Sequence, residues 1–576
     1  MTQHAAVIGS GPNGLTSACR LARAGWKVTV YEAGRTPGGA ARSAELFGPG
    51  LISDLGASVF PFASPAYESM LGAAGSGGGG TPRASGPATE APAFTPEATS
   101  GGIDYAYPPI PAAHPVKTGN DAADAVLLHR SLEQTADELG PDGDLWRWII
   151  GPVVNNWEAV RRAFLSPPSR PLSGLQTTPE RTTAATTSPD ALRRLTRTLR
   201  SGVQQTAALA QIGALGLMPA RNMMRSFSTQ RARALFAGMA AHSTGPLTHP
   251  LTSAFGVVFG AAGHTEGWPV IRGGSQRLVD ALTAELDALG GQIVTDFRVE
   301  EIREAPLPGL RPGIRKDLRP RGYRIEGVRE GDLGRRRRAG EEVTDVVVLD
   351  LTPKQVLQLE GLRLPDSARR RMNTWRYGPG LVKIDYLVDG PIPWSQAELA
   401  QAGTVHLGGS ATQITASESA ANKGILPGRP FVLLTQPSAA DDSRTPDHRT
   451  VCWAYAHVPN GLDAAGSARA AQLIETEISR YAPGFRDAVL DRKVWSPAEL
   501  EQWNPNMVGG SVSAGLATLG QTFAGPASLV RSPYATGVEG VYMCSASTPP
   551  GGGAHGMAGY NAAASILRDT EMLSGQ

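Results

Sequence analysis

Three glycines within six residues, Gly9-Ser10-Gly11-Pro12-Asn13-Gly14, are followed by an acid, Glu32, eighteen residues after the third glycine. Each glycine has a separate task in holding a pyrophosphate. Gly9 permits the sharp turn off a strand. Gly11 lets the phosphates approach the backbone, and Gly14 lets the following helix pack closely. The free N–H groups and partial positive charge of the helix N-terminus then face the phosphates, with Pro12 and Asn13 in the first turn. A carboxylate at Glu32 accepts hydrogen bonds from ribose hydroxyls and repels a 2′-phosphate, so the pattern favours FAD or NAD over NADP.

These residues need a strand, a helix and a second strand to position them. AAVIG (5–9) reads as a buried strand. NGLTSACRLARA (13–24) reads as a helix with Leu15, Ala18, Leu21 and Ala22 on one face, stopped by Gly25. KVTVY (27–31) forms the second strand and ends at Glu32. A second formal G-x-G-x-x-G at Gly75, Gly77 and Gly80 is rejected, because no strand precedes it and Pro82 and Pro87 prevent the helix that must follow.

The stretch after Glu32 distinguishes FAD from NAD. Arg35-Thr36-Pro37-Gly38-Gly39-Ala40-Ala41-Arg42 resembles the R-x-x-G-G-x-x-[RS] element of FAD enzymes in the glutathione-reductase-like and amine-oxidase-like superfamily. Two glycines let that loop pass close to the cofactor, and Arg42 can bring positive charge near its phosphates or ring. The expected cofactor is non-covalent FAD.

Further motifs are SDLGASVFP (53–61), GWPVIRGGSQRLVDAL (267–282), WAYAHVPNG (453–461), NPNMVGGSV (504–512) and GVYMCSASTPPGGGAHGMAGYNAA (540–563). With these, the sequence resembles the phytoene-desaturase-like FAD oxidoreductases. Within them it is most similar to the branch called pyridine nucleotide-disulfide oxidoreductase domain-containing proteins. The resemblance implies a second half of the flavin site near the C-terminus, with Ser545 and Ser547 where the family has glycines. It implies further FAD contacts at Ala33, Ala40, Val299, Ser547, Gly556, Met557 and Asn561. His555, inside the turn 551–556, is the candidate catalytic residue; the alternative is that it fixes the turn through a backbone carbonyl.

The implied fold is α/β, with an α+β substrate domain. A Rossmann-like FAD-binding domain is assembled from segments 1–70, 264–350 and 535–576. A low-complexity loop covers 71–104, a mostly helical substrate region 105–263, and a mixed-sheet substrate region 351–534. The implied reaction is dehydrogenation or desaturation of a hydrophobic, isoprenoid- or lipid-like substrate, with flavin reoxidised by oxygen or a quinone-like acceptor. Saturation, isomerisation or amine oxidation on the same fold, and a flavin-holding regulatory or scaffold protein, are the alternatives. Trp146, Trp148, Trp375, Tyr377, Trp453 and Tyr455 are candidates to line the substrate pocket.

Composition sets outer bounds. The net charge is +2 and the Arg335–Arg338 run is flanked by glycines, so a solvated turn is expected and a nucleic-acid face is not. Cys19, Cys452 and Cys544 are far apart in sequence with no C-x-x-C pair, which argues against a dithiol centre. His242, His249 and His264 lack metal-ligand spacing, so no metal is expected. Sparse cysteine, the absence of a leader pattern and the lack of an 18-residue apolar run point to the cytoplasm. A helix opened by Ser188-Pro189-Asp190, with Leu192, Leu195 and Leu199 on one face among arginines, could rest on a membrane surface.

Overall fold

A computed structural model describes residues 3–72, 102–118, 122–167, 210, 213–306, 321–329, 337–338, 343–522, 524–527 and 532–574. Residues 73–101 of the low-complexity stretch, the Ser188–Leu199 segment and Arg335-Arg336 lie outside the described residues. Arg337–Arg338 form a short strand beside Glu326 and Gly327.

Five parallel strands make the first sheet, in the spatial order Val541–Met543, Val346–Leu349, His4–Ile8, Lys27–Tyr31 and Gln292–Val294. Three distant stretches of chain therefore close one Rossmann-like sheet. Its strands are short apolar runs because both faces are covered, as parallel sheets require. Helix Pro12–Arg23 begins with Gly11 as N-cap and proline in the first turn, and carries Arg20 and Arg23 in its last turn, where cations suit the helix dipole. Helix Met557–Ser574 packs against it. Gly559 makes this possible, since a Cβ there would lie 1.8 Å from the Asn13 carbonyl oxygen.

The second large sheet has seven strands, in the order Val489–Trp495, Gly380–Val388, Thr450–Val458, Val432–Thr435, Ala402–Leu407, Ile110–Thr118 and Ala122–Leu128. One face carries Val382, Ile384, Val405, Leu434, Ala454 and their neighbours into an apolar core with helix Ala464–Ser479. The other face turns Leu381, Lys383, Thr404, Leu433, Thr435, Trp453 and Tyr455 toward a cavity. The hairpin at 110–128 differs from the helical reading of its region. Its alternation is hidden by alanines, and it gains its place by pairing with Ala402–Leu407, nearly three hundred residues away.

Candidate active site

The glycine turn has the geometry its sequence implies. A Cβ on Gly14 would meet the Gly9 carbonyl oxygen at 2.2 Å, and one on Gly39 would meet Gly11 Cα at 2.9 Å. The 35–42 loop folds back onto the turn: Gly38 N–H donates to the Ser10 carbonyl at 3.0 Å, and Arg42 Nε donates to the Gly39 carbonyl at 2.9 Å. The Arg42 guanidinium lies 4.6 Å over the Trp503 ring. Glu32 accepts from Ser10 N at 2.9 Å, from Ser10 Oγ at 2.5 Å and from Gly34 N at 2.8 Å. A carboxylate has about four lone-pair positions, so acceptor capacity remains for a ribose hydroxyl.

A single cavity of about 410 Å³ runs from this turn to the second sheet. Gly11, Pro12, Asn13, Gly39, Ala40, Ser547 and His555 line it. Gly9, Gly14, Gly38 and Arg42 stand just behind that lining through the contacts above. Ala33 and Arg35 are exposed and do not line it, with Arg35 3.9 Å from Asp296. Val299 lies in a three-stranded sheet opposite Gly327. Gly556 fits between Thr16 and Tyr67, where a Cβ would clash at 2.5 and 2.7 Å. Met557 joins the helical core. Asn561 faces elsewhere, donating to the Leu165 carbonyl at 3.2 Å and lining a separate recess beside Arg20.

His555 is held on both sides by backbone. Its Nδ1 accepts from Met557 N at 3.1 Å, and the Gly551 and Gly552 carbonyls lie against the ring. Burial lowers its pKa to about 4, with those carbonyls pulling the other way. Ser64 Oγ and Tyr67 Oη donate to the carbonyls of His555 and Ala554. The imidazole is therefore a fixed part of the turn.

Among the aromatic candidates, Trp375, Trp453 and Tyr455 line the cavity. Trp146 is fully buried in the helical core, and Trp148 is 59% exposed. Tyr377 is engaged elsewhere, accepting from Lys354 N at 2.8 Å. The opposite wall comes from Phe62, Phe164, Phe255, Phe259 and Trp268. Phe259 is the hub, 5.2 Å from Phe62 and 6.1 Å from Phe255. Ala63, Thr244, Trp268 and Ala514 line the same cavity, and all have positive φ between 36° and 55°. Non-glycine residues hold that conformation only where surrounding structure over-determines it, as functional sites do.

Three charged or titratable features of the cavity escape sequence reasoning. Asp350 follows strand Val346–Leu349 and lies under the glycine turn, accepting from Gly14 N at 3.0 Å. Burial raises its pKa to about 7, and Glu32 adds to the rise. Lys383 is buried and donates to both Asp385 oxygens at 2.6 Å; Trp495 Nε1 donates to the same carboxylate at 2.8 Å. Two charges two residues apart in VKIDYLV fall on one face of the strand, which is the signal that could have revealed this pair. His242, at the end of helix Gln230–Ala241, stacks on Phe259 at 4.7 Å.

The cysteines are inert: Cys544 is fully buried and burial holds its thiol well above the ordinary value. No cluster of metal-ligating side chains occurs among the described residues, and no described helix is long and apolar enough to cross a membrane.

Residues 7–73 match the family of NAD(P)-binding Rossmann-like domains. The chain is 28% identical over 354 residues to the rat pyridine nucleotide-disulfide oxidoreductase domain-containing protein 2. That alignment covers 57% of each chain, so the match spans a little over half the length of this curated relative. Among solved structures, an oxidoreductase from Methanosarcina mazei superposes with a TM-score of 0.56 at 15% identity, covering 98% of this chain and 100% of that one. Putrescine oxidase bound to putrescine superposes with a TM-score of 0.55 at 13% identity, covering 99% of both chains. The fold is that of the flavin amine oxidases: a Rossmann-like sheet built from discontinuous segments, joined to a mixed substrate-domain sheet.

Proposed function

We propose that this protein is an FAD-dependent oxidoreductase that takes hydride from a C–H bond of an uncharged, largely apolar molecule. The observation that carries this reading is the continuity of the cavity, from the glycine turn through Ser547 and His555 to an aromatic chamber over the seven-stranded sheet. The residues present fit the cofactor. Glycines keep Cβ atoms out of the phosphate turn, Glu32 retains acceptor capacity for the ribose, and the Arg35–Arg42 loop covers the turn. FAD, when bound, supplies the hydride acceptor.

The chain's own residues bind, orient and exclude water. Phe62, Phe164, Phe255, Phe259 and Trp268 form one wall, with Trp375, Trp453 and Tyr455 facing from the other elements. Such a chamber removes apolar surface from water at about 25 cal/mol per Å² and holds the reacting carbon in place. Among the described residues Lys383 is the one lysine or arginine lining it, and its charge is balanced by Asp385.

The same lining argues against a cationic amine. Among the described residues Asp350 is the one acid in the lining, and it lies at the dinucleotide end under the glycines. An ammonium group in the chamber would meet no carboxylate to offset its desolvation. Desaturation of an isoprenoid- or lipid-like compound, with oxygen or a quinone-like molecule as electron acceptor, remains the reading in better accord with these walls.

The test is an anaerobic panel. Purified protein supplied with FAD takes up one flavin per chain, and neutral apolar compounds bleach it while primary amines of similar size do not. Bleaching by the amines alone would refute the substrate reading. Failure of folded protein to take up FAD would refute the cofactor reading.

A further inference from the structure

The substrate chamber holds polar atoms that the fold itself leaves without partners. Ser243 Oγ, Thr435 Oγ1 and Trp453 Nε1 are buried side-chain atoms with no hydrogen bond, and all three residues line the cavity. An indole N–H can only donate. Buried polar groups are seldom left unpaired, so polarity on this wall points to a polar partner in the bound molecule, reached through whichever group opens onto the chamber.

His242 decides what that partner is. Its Nε2 lies 3.0 Å from Nε2 of His406, and its ring lines the cavity between Phe259 and Trp268. Two imidazole nitrogens at this distance share a single proton: one donates and the other accepts. Both rings are neutral. Burial brings His242 down to about 3, with His457 adding to the effect, and it holds His406 well below the ordinary histidine range. Each ring therefore carries one N–H.

The second nitrogen of His406 fixes the direction. His406 Nδ1 is buried, has no partner and faces the backbone at Gly238, where a Cβ would come within 2.5 Å of it. A proton on Nδ1 would be stranded against a helix with no acceptor in reach. Placed on Nε2, it meets His242. An orphaned N–H is the costlier and rarer arrangement, so the proton sits on His406 Nε2. His242 Nε2 is then the acceptor, and its own proton is on Nδ1. That nitrogen makes no hydrogen bond among the described residues.

We infer that His242 presents a neutral Nδ1–H donor to the substrate chamber, held in that tautomer by His406, and that the ligand is an apolar molecule carrying a carbonyl oxygen. This rests on the oxidoreductase reading and narrows its substrate class. His242 is a specificity residue and His406 a positioning residue. A pure hydrocarbon leaves the His242 donor unpaired. A protonated amine presents donors to that donor. A carbonyl oxygen accepts from it and brings no charge to be desolvated.

The experiment compares three probes of matched chain length on the full, FAD-supplied protein: geranylacetone, the hydrocarbon with a methylene in place of its carbonyl, and the corresponding carboxylic acid. Binding is read by quenching of tryptophan fluorescence, which does not require turnover, so failure here is distinct from failure of the oxidoreductase reading. The ketone is expected to bind about tenfold more tightly than the hydrocarbon, the scale of one well-made hydrogen bond. His242→Gln, which keeps a donor, retains the preference, and His242→Phe, which keeps the stacking, loses it. In protein with ¹⁵N-labelled histidine, His242 is expected as the Nδ1–H tautomer, and His406→Leu releases that preference. Equal affinity for ketone and hydrocarbon, a preference that survives in His242→Phe, tightest binding of the acid, binding of none of the three, or an Nε2–H tautomer at His242 would each overturn the proposal.

Discussion

The two ends of the cavity are built from different materials. The dinucleotide end is made of backbone: three glycines, a helix N-terminus and a loop whose own glycines allow close approach. Nearly all of it comes from residues 9–42. The substrate end is made of side chains from four strands of the second sheet and the loops and helices above it, spread over more than four hundred residues. Backbone recognition tolerates few side chains and therefore leaves a rigid imprint in sequence. Side-chain recognition can be met by many residue types and leaves a diffuse one.

This difference predicts unequal responses to substitution. The largest effect on cofactor binding is expected for Gly14→Ala, whose Cβ would meet backbone oxygen at 2.2 Å. Overpacking of this kind costs about 1–3 kcal/mol in stability. Because it displaces the phosphate turn, bound FAD should also be lost, as read by absorbance after gel filtration. Retention of stoichiometric flavin would show that the turn is not the anchor.

At the substrate end, Lys383→Met should destabilise the fold by about 3–5 kcal/mol by leaving Asp385 buried without its cation. Denaturant melts would measure this. The double change Lys383→Met with Asp385→Leu should recover much of the loss, which separates the cost of a stranded charge from the worth of the pair.

Asp350, under the glycine turn, yields a pH prediction. Its pKa rises from the ordinary 3.8 to about 7, chiefly through burial. Between about pH 4 and pH 7 the folded protein keeps a proton that the unfolded chain has released. Stability therefore falls as pH rises through that window and stays lower above it. Asp350→Asn should flatten this fall and raise Tm at pH 8. A carboxylate under the phosphate turn also opposes a pyrophosphate, so the same variant should bind FAD more tightly at pH 8. A parallel pH–Tm curve for wild type and variant would contradict both statements.

The smallest effect is expected at Trp375→Phe. The indole N–H donates to the Ala514 carbonyl at 3.0 Å, and losing it costs about 1 kcal/mol in thermal melts. Because Ala514 has positive φ, the exchange should also loosen the loop it holds.

What could be read from sequence follows the same division. The Gly9–Gly14 turn, the strands around it, the Glu32 terminus and the Gly38-Gly39 loop were legible because each rests on local backbone geometry. The closing strand Val541–Met543 and helix Met557–Ser574 were legible from their motif. Asp350 was not, because its partner Gly14 is 336 residues away and only parallel pairing of their strands brings them together. The hairpin at 110–128 was missed for a similar reason. His242 was weighed only as a metal ligand, since nothing nearby in sequence announces His406. Asn561, at the start of a helix that does pack on the dinucleotide domain, faces away from the cavity by the rotation of that helix.

The account depends on the two ends forming one site. The direct measurement is the visible difference spectrum of FAD-loaded protein on addition of geranylacetone, alongside the fluorescence titration of the same sample. A saturable shift of the flavin bands with the midpoint of the fluorescence change is predicted. Binding seen by fluorescence with an unchanged flavin spectrum would mean that the aromatic chamber and the dinucleotide turn do not share a cavity.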